Sequence, residues 1–431
     1  MSPNFSTIDV MKPTNESLFE RGQRVIPGGV NSPVRAFRSV GGTPYFVASG
    51  KGARVTDVEG TTFLDLVQSY GAIIAGHAHP KIIEAIQKAA TDGTSFGAPT
   101  PREVELAEAI NERVPSCEKI RMVNSGTEAT MSAIRVARGA TGRPKILKFA
   151  GNYHGHSDGL LVSGGTAMAS LGIPASAGVT ENAIADTVVA PYNVVPTLDE
   201  TFAAVIVEPC AANMGLVLPV PGFLEGLRIE CDRVGALLIF DEVITGFRVA
   251  RGGAQQLLGV VPDLTAFGKI IGGGLPVGAF GGRADVMDNL APLGPVYQAG
   301  TLSGNPLATA AGLAALSLLD DDAYALIESR ADCLAGSFAN AFAAAGIDVC
   351  VPRFASLVGL FFGDVAPIDY VSACTTDEAI YAAFFHELLD RGVAIAPGAY
   401  EVMFPGLAHD DEILTAIADA AHAAAAAVAS R

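Results

Sequence analysis

The clearest early pattern along the chain is an alternation of apolar and polar residues. It runs through residues 45–48, 54–58 and 62–66, and short glycine-containing segments separate the three runs. A period of two between turns predicts a small antiparallel meander. Before it, residues 21–37 are rich in glycine and proline, which favours neither a helix nor an inner strand. Residues 1–20 are polar and are predicted to be loose at their start.

From Pro80 onward, helical periodicity alternates with continuous apolar runs. Strands are predicted at 120–123, 145–149, 203–207 and 236–240, and helices at 103–114, 128–138 and 222–234. The second of these helices is predicted to end at Gly139. Apolar strands separated by helices are typical of a parallel sheet that is covered on both faces. The sequence therefore predicts a large α/β domain over residues 80–310.

The last part of the chain, residues 311–431, predicts a smaller α+β domain, and residues 1–79 form a separate N-terminal segment that contains the meander. The predicted elements are helices at 307–319 and 323–345, strands at 357–362 and 393–396, and an alanine-rich helix at 416–429. No stretch offers the roughly 20 clean apolar residues of a membrane span. We therefore expect the alanine-rich tail to be a packed terminal helix.

Charge and cysteine content narrow the class of protein. The chain of 431 residues has 28 Lys and Arg against 45 Asp and Glu, a net charge of −17, which argues against nucleic acid or an anionic membrane as the main partner. Six scattered cysteines, without a Cys-x-x-Cys pair, predict neither a zinc site nor a disulfide framework. The first residues lack the basic start and apolar run of a signal peptide. We therefore expect a cytoplasmic protein with reduced thiols.

One lysine, Lys269, stands in a stretch, residues 267–282, that otherwise consists of apolar residues and glycines. A site of low dielectric lowers the pKa of an ammonium group toward the free amine. A free amine beside a carbonyl forms a Schiff base. The glycines lack side chains, so a bulky group can approach the backbone closely. We therefore interpret Lys269 as a candidate Schiff-base lysine.

A candidate anion site lies at residues 124–128, Asn-Ser-Gly-Thr-Glu, between a predicted strand and a predicted helix. Ser125 and Glu128 fit a capping box. Exposed N–H groups at the helix start, with the hydroxyls of Ser125 and Thr127, can hold a phosphate. An ordinary helix cap explains the same residues when they are taken alone. The segment does not match the phosphate loop of nucleoside triphosphatases.

Asp241 ends an apolar strand at the edge where ligands of open α/β sheets bind. A carboxylate there needs a partner, which is either a cationic ring nitrogen or a salt bridge. Glu242 is expected to point to the opposite side of the strand. Tyr153, in residues 152–156, follows another predicted strand, and its ring can stack on a flat cofactor.

These four features together indicate pyridoxal 5′-phosphate. That cofactor requires a Schiff-base lysine, a carboxylate on its pyridine nitrogen, an aromatic plate and a phosphate site. The carboxylate keeps the ring nitrogen protonated, and Lys269, once displaced by substrate, moves the proton. The spacing of His154 and His156 could suggest a metal, but no third ligand is near in the sequence, so no metal is expected. We assign no chemistry to His77 and His79.

Longer motifs carry a family resemblance. They lie at residues 27–35, 124–129, 152–156, 208–209, 213–215, 240–243, 245–248, 268–269, 272–282 and 298–306. The chain resembles the class III aminotransferases, which use pyridoxal phosphate, from about residue 17 to 431. Within that group it is most similar to the branch that exchanges an amino group within one substrate. The resemblance implies the α/β architecture of pyridoxal-phosphate transferases of fold type I. This has a large, mainly parallel sheet of the seven-stranded type and a smaller α+β domain from the N- and C-terminal segments.

The resemblance also implies roles for individual residues. The implied cofactor residues are Ser125, Gly126, Thr127, Tyr153, Asn213, Asp241, Lys269, Gly300 and Thr301, of which Lys269, Asp241 and Tyr153 are also catalytic. Gly300 and Thr301 would reach the phosphate of the partner subunit, which implies a homodimer with shared active sites. The implied substrate residues are Ser32, Arg35, Thr166 and Glu401. A guanidinium fork matches the substrate carboxylate, although a surface ion pair is the alternative for Arg35.

Three positions depart from the family pattern. Thr166 stands where a serine is usual, so the hydroxyl is kept and a methyl group is added to a gating loop. Gly398 replaces a serine near Glu401, the residue expected to hold Arg35 when no substrate is bound. Val194 replaces an aspartate and removes a carboxylate.

The implied function is an intramolecular amino transfer in tetrapyrrole (porphyrin) biosynthesis. (S)-4-Amino-5-oxopentanoate, which is glutamate 1-semialdehyde, would enter the pyridoxamine-phosphate form of an isomerase. It would pass through 4,5-diaminovalerate and leave as 5-aminolevulinate. The alternative is a class III aminotransferase that passes nitrogen to a 2-oxo acid and shares the cofactor site. A non-catalytic ligand sensor on this fold would need an appended DNA-binding region, of which the acidic sequence shows no sign.

Overall fold

A computed structural model of the protein describes residues 12–162 and 176–431. In these residues the strands form a seven-stranded sheet, a four-stranded sheet and a two-stranded ribbon. The large sheet is buried on both faces, which makes the main body an α/β structure.

The first helix, α1 (Asn15–Val25), begins upstream of the glycine-rich segment. The Thr14 hydroxyl accepts a hydrogen bond from the Ser17 N–H, and the Ser17 hydroxyl accepts one from the Thr14 N–H. This cap starts a helix that runs into the segment at 21–37, so the expectation of no helix there was wrong for its first five residues. Two 3₁₀ turns follow, Pro27–Gly29 and Pro33–Ala36.

The predicted meander is present as β1 (Val47–Lys51), β2 (Arg54–Asp57) and β3 (Thr62–Asp65), paired antiparallel in that order. The Asp57 carboxylate accepts the N–H groups of the turn between β2 and β3, which fixes the hairpin. A short C-terminal strand, Val393–Ala394, pairs parallel with β3. The two ends of the chain therefore share one sheet.

The seven-stranded sheet has the order β4–β10–β9–β8–β7–β5–β6. Its strands are β4 (Lys119–Val123), β5 (Lys145–Phe149), β6 (Thr187–Ala190), β7 (Phe202–Val207), β8 (Leu237–Asp241), β9 (Leu264–Gly268) and β10 (Gly278–Gly282). Every neighbouring pair is parallel except the two that involve β10. The expected large and mainly parallel sheet is confirmed.

Three strands, β6, β9 and β10, were absent from the sequence prediction. The sequence of β10, Gly-Ala-Phe-Gly-Gly, lacks the β-branched residues that usually mark a strand. Its glycines are required by close packing, since a Cβ at Gly282 would lie 2.0 Å from the carbonyl oxygen of Asp263. The glycines therefore let the antiparallel strand fit between its neighbours.

The helices of this body pack on the two faces of the sheet. They are α2 (Pro80–Asp92), α3 (Pro101–Arg113), α4 (Gly126–Thr141), α5 (Glu181–Ile184), α6 (Phe223–Val234), α7 (Gly253–Leu258) and α8 (Ala284–Met287). Helix α4 packs on one face with alternate residues of β5 and β7, and α6 packs on the other.

The prediction that α4 ends at Gly139 was wrong. The helix continues to Thr141, and Gly142, at φ 69°, forms the left-handed C-cap. Gly139 is a packing glycine, because a Cβ there would lie 2.2 Å from a methyl carbon of Val296.

The C-terminal part adds helices and a ribbon. The elements are α9 (Pro306–Leu316), α10 (Asp321–Ala345), β11 (Arg353–Phe354), β12 (Leu357–Val358), α11 (Tyr370–Ala373), α12 (Glu378–Asp390), β13 (Val393–Ala394) and α13 (Asp411–Ala429). Their core includes residues of the N-terminal segment, such as Phe37 and Leu66. The domain boundaries at 80 and 311 stay predictions.

Helix α13 packs against α10 and α12. Within the described residues it is the one helix whose length and composition would suffice to cross a membrane.

Candidate active site

A cavity of about 410 Å³ lies where the carboxyl ends of β5, β7 and β8 meet the start of α4. Seven of the residues predicted for the cofactor line it, and these are Ser125, Gly126, Thr127, Tyr153, Asn213, Asp241 and Lys269. The structure thus brings together residues that are up to 144 positions apart in the chain.

Lys269 follows β9 directly and starts a 3₁₀ turn, Lys269–Gly272. Its backbone is in the left-handed region at φ 49°, which is uncommon for a residue with a side chain. Its ammonium donates a hydrogen bond of 2.6 Å to the carbonyl oxygen of Tyr70. Burial lowers the pKa of Lys269 to about 8, although the nearby Glu401 charge acts in the opposite direction. Roughly a tenth of the lysine is therefore a neutral amine at pH 7, far more than for a lysine with the ordinary pKa.

Asp241 is the last residue of β8, and its side chain is almost completely buried. One carboxylate oxygen lies 2.7 Å from Nδ1 of His154, and the other accepts the Val243 N–H at 3.1 Å. Burial lowers the pKa of His154, so the ring is neutral and donates its Nδ1–H to the carboxylate. The histidine thereby orients the carboxylate in the cavity. Glu242 points away, as expected, and accepts hydrogen bonds from the Ala254 and Gln255 N–H groups.

Glu208 forms a second buried carboxyl group close to Asp241. It accepts the N–H groups of Tyr153 at 2.8 Å and Ala212 at 2.9 Å, and the Asn152 amide oxygen accepts the Glu208 N–H. Burial, followed by the charge of Asp241, raises the pKa of Glu208 to about 8. Glu208 is therefore largely protonated at neutral pH, and the negative charge of the site is concentrated on Asp241.

The predicted anion site is the N-terminus of α4. The Ser125 hydroxyl accepts the Glu128 N–H at 3.2 Å, but the Glu128 carboxylate accepts the N–H of Asn124 instead of completing a capping box with Ser125. The loop at 152–156 packs against this helix start. Gly155 is at φ 80°, and a Cβ there would lie 2.4 Å from the Thr127 hydroxyl oxygen.

The sequence model of the class III aminotransferases matches residues 37–423, a range that includes every residue of this cavity. The chain belongs to the class III aminotransferase family. Curated relatives are named glutamate-1-semialdehyde 2,1-aminomutase. One from Bordetella avium is 53% identical over 418 residues, which cover 95% of this chain and 98% of the relative. Another from Syntrophobacter fumaroxidans is 54% identical, with 94% and 95% covered. Within the class III family, the chain thus belongs with the aminomutases.

Solved structures of the family have the same fold. An omega-transaminase from Sphaerobacter thermophilus superimposes with a TM-score of 0.88 at 34% identity, over 97% of this chain and 98% of that one. A transaminase with PLP bound gives 0.85 at 35% identity, over 96% and 97%. A glutamate-1-semialdehyde aminomutase variant from Pseudomonas aeruginosa PAO1, in complex with PMP, gives 0.84 at 26% identity, over 95% and 93%. The expected class III architecture is confirmed.

The residues of the cavity fit the pyridoxal-phosphate cofactor of this class III family. One cavity holds an amine, a carboxylate fixed by a buried histidine, and the start of a helix whose first N–H groups have no partner within that helix. Its volume suits a small cofactor, for which pockets of about 300–1,000 Å³ are usual. Gly126 keeps the helix start open, since a Cβ there would lie 3.0 Å from a methyl carbon of Val243.

Tyr153, the expected ring cover, also lines the cavity, and burial raises the pKa of its hydroxyl. His154 and Glu208 were missed as site residues in the sequence. A signal was present for each: His154 lies in the same motif as Tyr153, and Glu208 directly follows the apolar strand β7, much as Asp241 ends β8.

The remaining predicted site residues that the structure describes do not line this cavity. Gly300 and Thr301 line a separate cavity of about 410 Å³ next to residues 95–100. Arg35 lines a third cavity of about 530 Å³ together with Tyr70. Their roles stay predictions.

Ser32 immediately precedes the 3₁₀ turn that contains Arg35. Glu401 interacts electrostatically with Lys269, and burial raises its pKa. In the described residues, no salt bridge joins Arg35 to Glu401. Thr166 lies outside the described residues.

Proposed function

We propose that this protein converts (S)-4-amino-5-oxopentanoate, glutamate 1-semialdehyde, into 5-aminolevulinate by moving an amino group within the substrate, as an isomerase of tetrapyrrole biosynthesis. The observation that carries the proposal is that the Lys269 amine and the Asp241 carboxylate line the same cavity. The relatives named as aminomutases, at 53–54% identity over nearly the whole chain, supply the reaction.

Pyridoxal or pyridoxamine phosphate, when bound, supplies the exchangeable amino group and a ring that stabilises negative charge on the carbon beside the nitrogen. Asp241 is the residue that would face the ring nitrogen. Its carboxylate is held by His154, and the protonation of Glu208 removes a competing negative charge. The helix start at Ser125, Gly126 and Thr127 would hold the phosphate.

Lys269 is the residue that moves protons at the substrate carbon. Its lowered pKa, about 8, leaves enough neutral amine to accept a proton at cellular pH, and the resulting ammonium can return it. The carbonyl of Tyr70 limits the directions that the amine can take.

Recognition of the substrate carboxylate is assigned to Arg35 with Ser32. Glu401 is assigned as the counter-charge of Arg35 in the absence of substrate, although among the described residues it interacts with Lys269 and forms no salt bridge with Arg35. Thr166 is assigned to the gating loop on the substrate side. The basis for Arg35 is the match between a guanidinium fork and a carboxylate. A cytoplasmic homodimer completes the proposal. Its support is the position of Gly300 and Thr301 in a different cavity from the remaining cofactor residues, which suits a contribution to the partner's site.

The second candidate is a class III aminotransferase that requires a 2-oxo acid. The resemblance of the fold to an omega-transaminase, with a TM-score of 0.88, supports it. Because both reactions share the cofactor site, the fold does not separate them. The identity of 53–54% to curated aminomutases, against 34% to this transaminase, favours the first candidate.

Replacement of Lys269 by alanine tests the shared chemistry. Loss of a general base usually lowers the rate about 10²- to 10⁴-fold, so formation of 5-aminolevulinate should fall by at least 100-fold while the protein stays folded. Lys51→Ala, at an exposed strand position, is the matched control. Near-normal turnover by the Lys269 variant would contradict the proposal.

A further inference from the structure

A strained turn lies directly beside Lys269. Gln68, Ser69 and Tyr70 are three successive residues with positive φ, at 44°, 53° and 54°, and Gly71 follows at 88°. L-residues avoid this left-handed region, and a run of three is maintained only where the surroundings enforce it. Such strain is concentrated at functional sites, which makes the surroundings of the turn informative.

One side of the turn is held by Asp65, the last residue of β3. Its two carboxylate oxygens accept the N–H groups of Val67 at 2.9 Å and Gln68 at 3.1 Å. Nε2 of His77 lies 2.7 Å from the same carboxylate. The left-handed run therefore starts from a fixed, hydrogen-bonded anion.

The other side is held by Arg248, which is completely buried. Its guanidinium donates to the carbonyl oxygens of Gly71 at 3.1 Å and Ile73 at 2.8 Å, and it lies 5.2 Å from the ring centre of Phe404. The Phe404 ring packs where a Cβ of Gly71 would be, at 2.6 Å. A buried guanidinium bound to backbone carbonyls in this way fixes the end of the turn.

Held by Asp65 and Arg248, the turn directs the carbonyl of Tyr70 toward Lys269. Its oxygen accepts the hydrogen bond of 2.6 Å from the Lys269 amine, which also lies 5.9 Å from the Phe404 ring centre. A lysine side chain is a flexible four-carbon stem, so without a fixed acceptor its amine would sample many positions. An amine that donates one N–H to a fixed carbonyl has its lone pair directed elsewhere.

We propose that the turn at residues 68–71 is a positioning element that holds the Lys269 amine, through the Tyr70 carbonyl, whenever that amine is not bound to the cofactor. This inference rests on the proposed function, in which the lysine alternates between a bound and a free state. The titratable groups that face Lys269 are Glu401, Arg248, Glu208 and Asp241. The carbonyl is a neutral acceptor among them, so it orients the amine without adding a charge.

The first test is a crystal structure of the full-length protein with pyridoxamine phosphate bound, the form in which Lys269 is free. The proposal predicts that the amine nitrogen lies within hydrogen-bond distance of the Tyr70 carbonyl oxygen, about 3.2 Å or less. A Lys269 amine beyond that distance from the carbonyl would overturn it. This readout does not depend on turnover or on a substituted protein.

The second test is a matched pair at Ser69, whose side chain is exposed. Ser69→Gly keeps the left-handed conformation without strain, whereas Ser69→Val places a β-branched residue where it is strongly disfavoured. The valine variant should lower kcat about tenfold or more relative to the glycine variant, because proton transfer is slowed. Its deuterium isotope effect on kcat, with substrate labelled at C4, should also be larger.

Equal kcat and equal isotope effects in the two variants would overturn the proposal. If Ser69→Val does not fold, as judged by circular dichroism, the distance in the crystal decides alone. A protein that keeps the Lys269–Tyr70 contact but shows no amino exchange would contradict the proposed function and support the positioning role of the turn. Failure of the proposed function and failure of the positioning role are therefore distinguishable.

Discussion

The hydrogen bond between His154 and Asp241 is the contact whose removal gives the sharpest prediction. Both side chains are buried, with 0% and 5% of their surfaces exposed, and the two atoms are 2.7 Å apart. His154→Leu removes the donor and leaves one oxygen of a buried carboxylate without its partner. His154→Asn is the matched variant, because its amide nitrogen can occupy nearly the position of Nδ1.

The magnitude follows from the type of bond. A hydrogen bond to a charged group contributes about 1.5–3 kcal/mol, and each 1.36 kcal/mol corresponds to a factor of ten. We therefore expect kcat/KM of His154→Leu to be roughly 10- to 150-fold below that of the wild-type protein. His154→Asn should retain most of the activity, within about fivefold, because a donor is restored.

The assay is formation of 5-aminolevulinate by each variant, with circular dichroism and the visible spectrum of the bound cofactor as controls for folding and loading. Activity of His154→Leu within about twofold of the wild type would refute the orienting role of the histidine. The same refutation would follow if both variants lost activity equally, since the loss would then come from packing and not from the missing donor.

Three further predictions concern packing, protonation and substrate recognition. Gly139→Ala should destabilise the protein by about 1–3 kcal/mol through the clash with Val296. Gly336→Ala, at an open position of α10, should instead stabilise it by about 0.5–1 kcal/mol. Thermal unfolding measures both changes, and a stabilised Gly139 variant would contradict the packing argument. The folded-state pKa of Glu208, about 8, is above its usual value of 4.5, so the stability contributed by the protonated form is lost as pH rises from 4.5 to 8. Glu208→Gln should therefore show a flatter dependence of Tm on pH than the wild-type protein. Parallel curves of Tm against pH for the two proteins would contradict this. Arg35→Lys should raise KM about tenfold or more, with a smaller change in kcat, in steady-state assays, because the bidentate hydrogen bond from the guanidinium to the substrate carboxylate is lost. An unchanged KM would contradict the assignment of Arg35 to the substrate carboxylate.

The sequence was sufficient for the parts of the fold that repeat a simple pattern. The apolar runs of β7 and β8 and the periodic helices between the strands predicted the parallel sheet, because each pattern reflects burial on one or both faces. The glycine-rich strand β10 was missed, since its residues are set by the closeness of neighbouring backbones and not by a local preference.

The same distinction applies to the site. Lys269 and Asp241 could be predicted to meet, because Asp241 ends a predicted apolar strand and Lys269 follows an apolar stretch, and ligands bind at the edge where such strands end. The bond from His154 to Asp241 spans 87 positions, and the bond from Lys269 to Tyr70 spans 199. Neither leaves a local pattern, so only the folded structure reveals which partners hold the proposed catalytic groups.

The most direct test of the central claim is an assay of the purified holoprotein with glutamate 1-semialdehyde as the only substrate. The account predicts that the substrate consumed appears as an equal amount of 5-aminolevulinate, and that an added 2-oxo acid does not increase the rate. Formation of product only after a 2-oxo acid or a separate amino donor is supplied would contradict it and identify the protein as an ordinary aminotransferase.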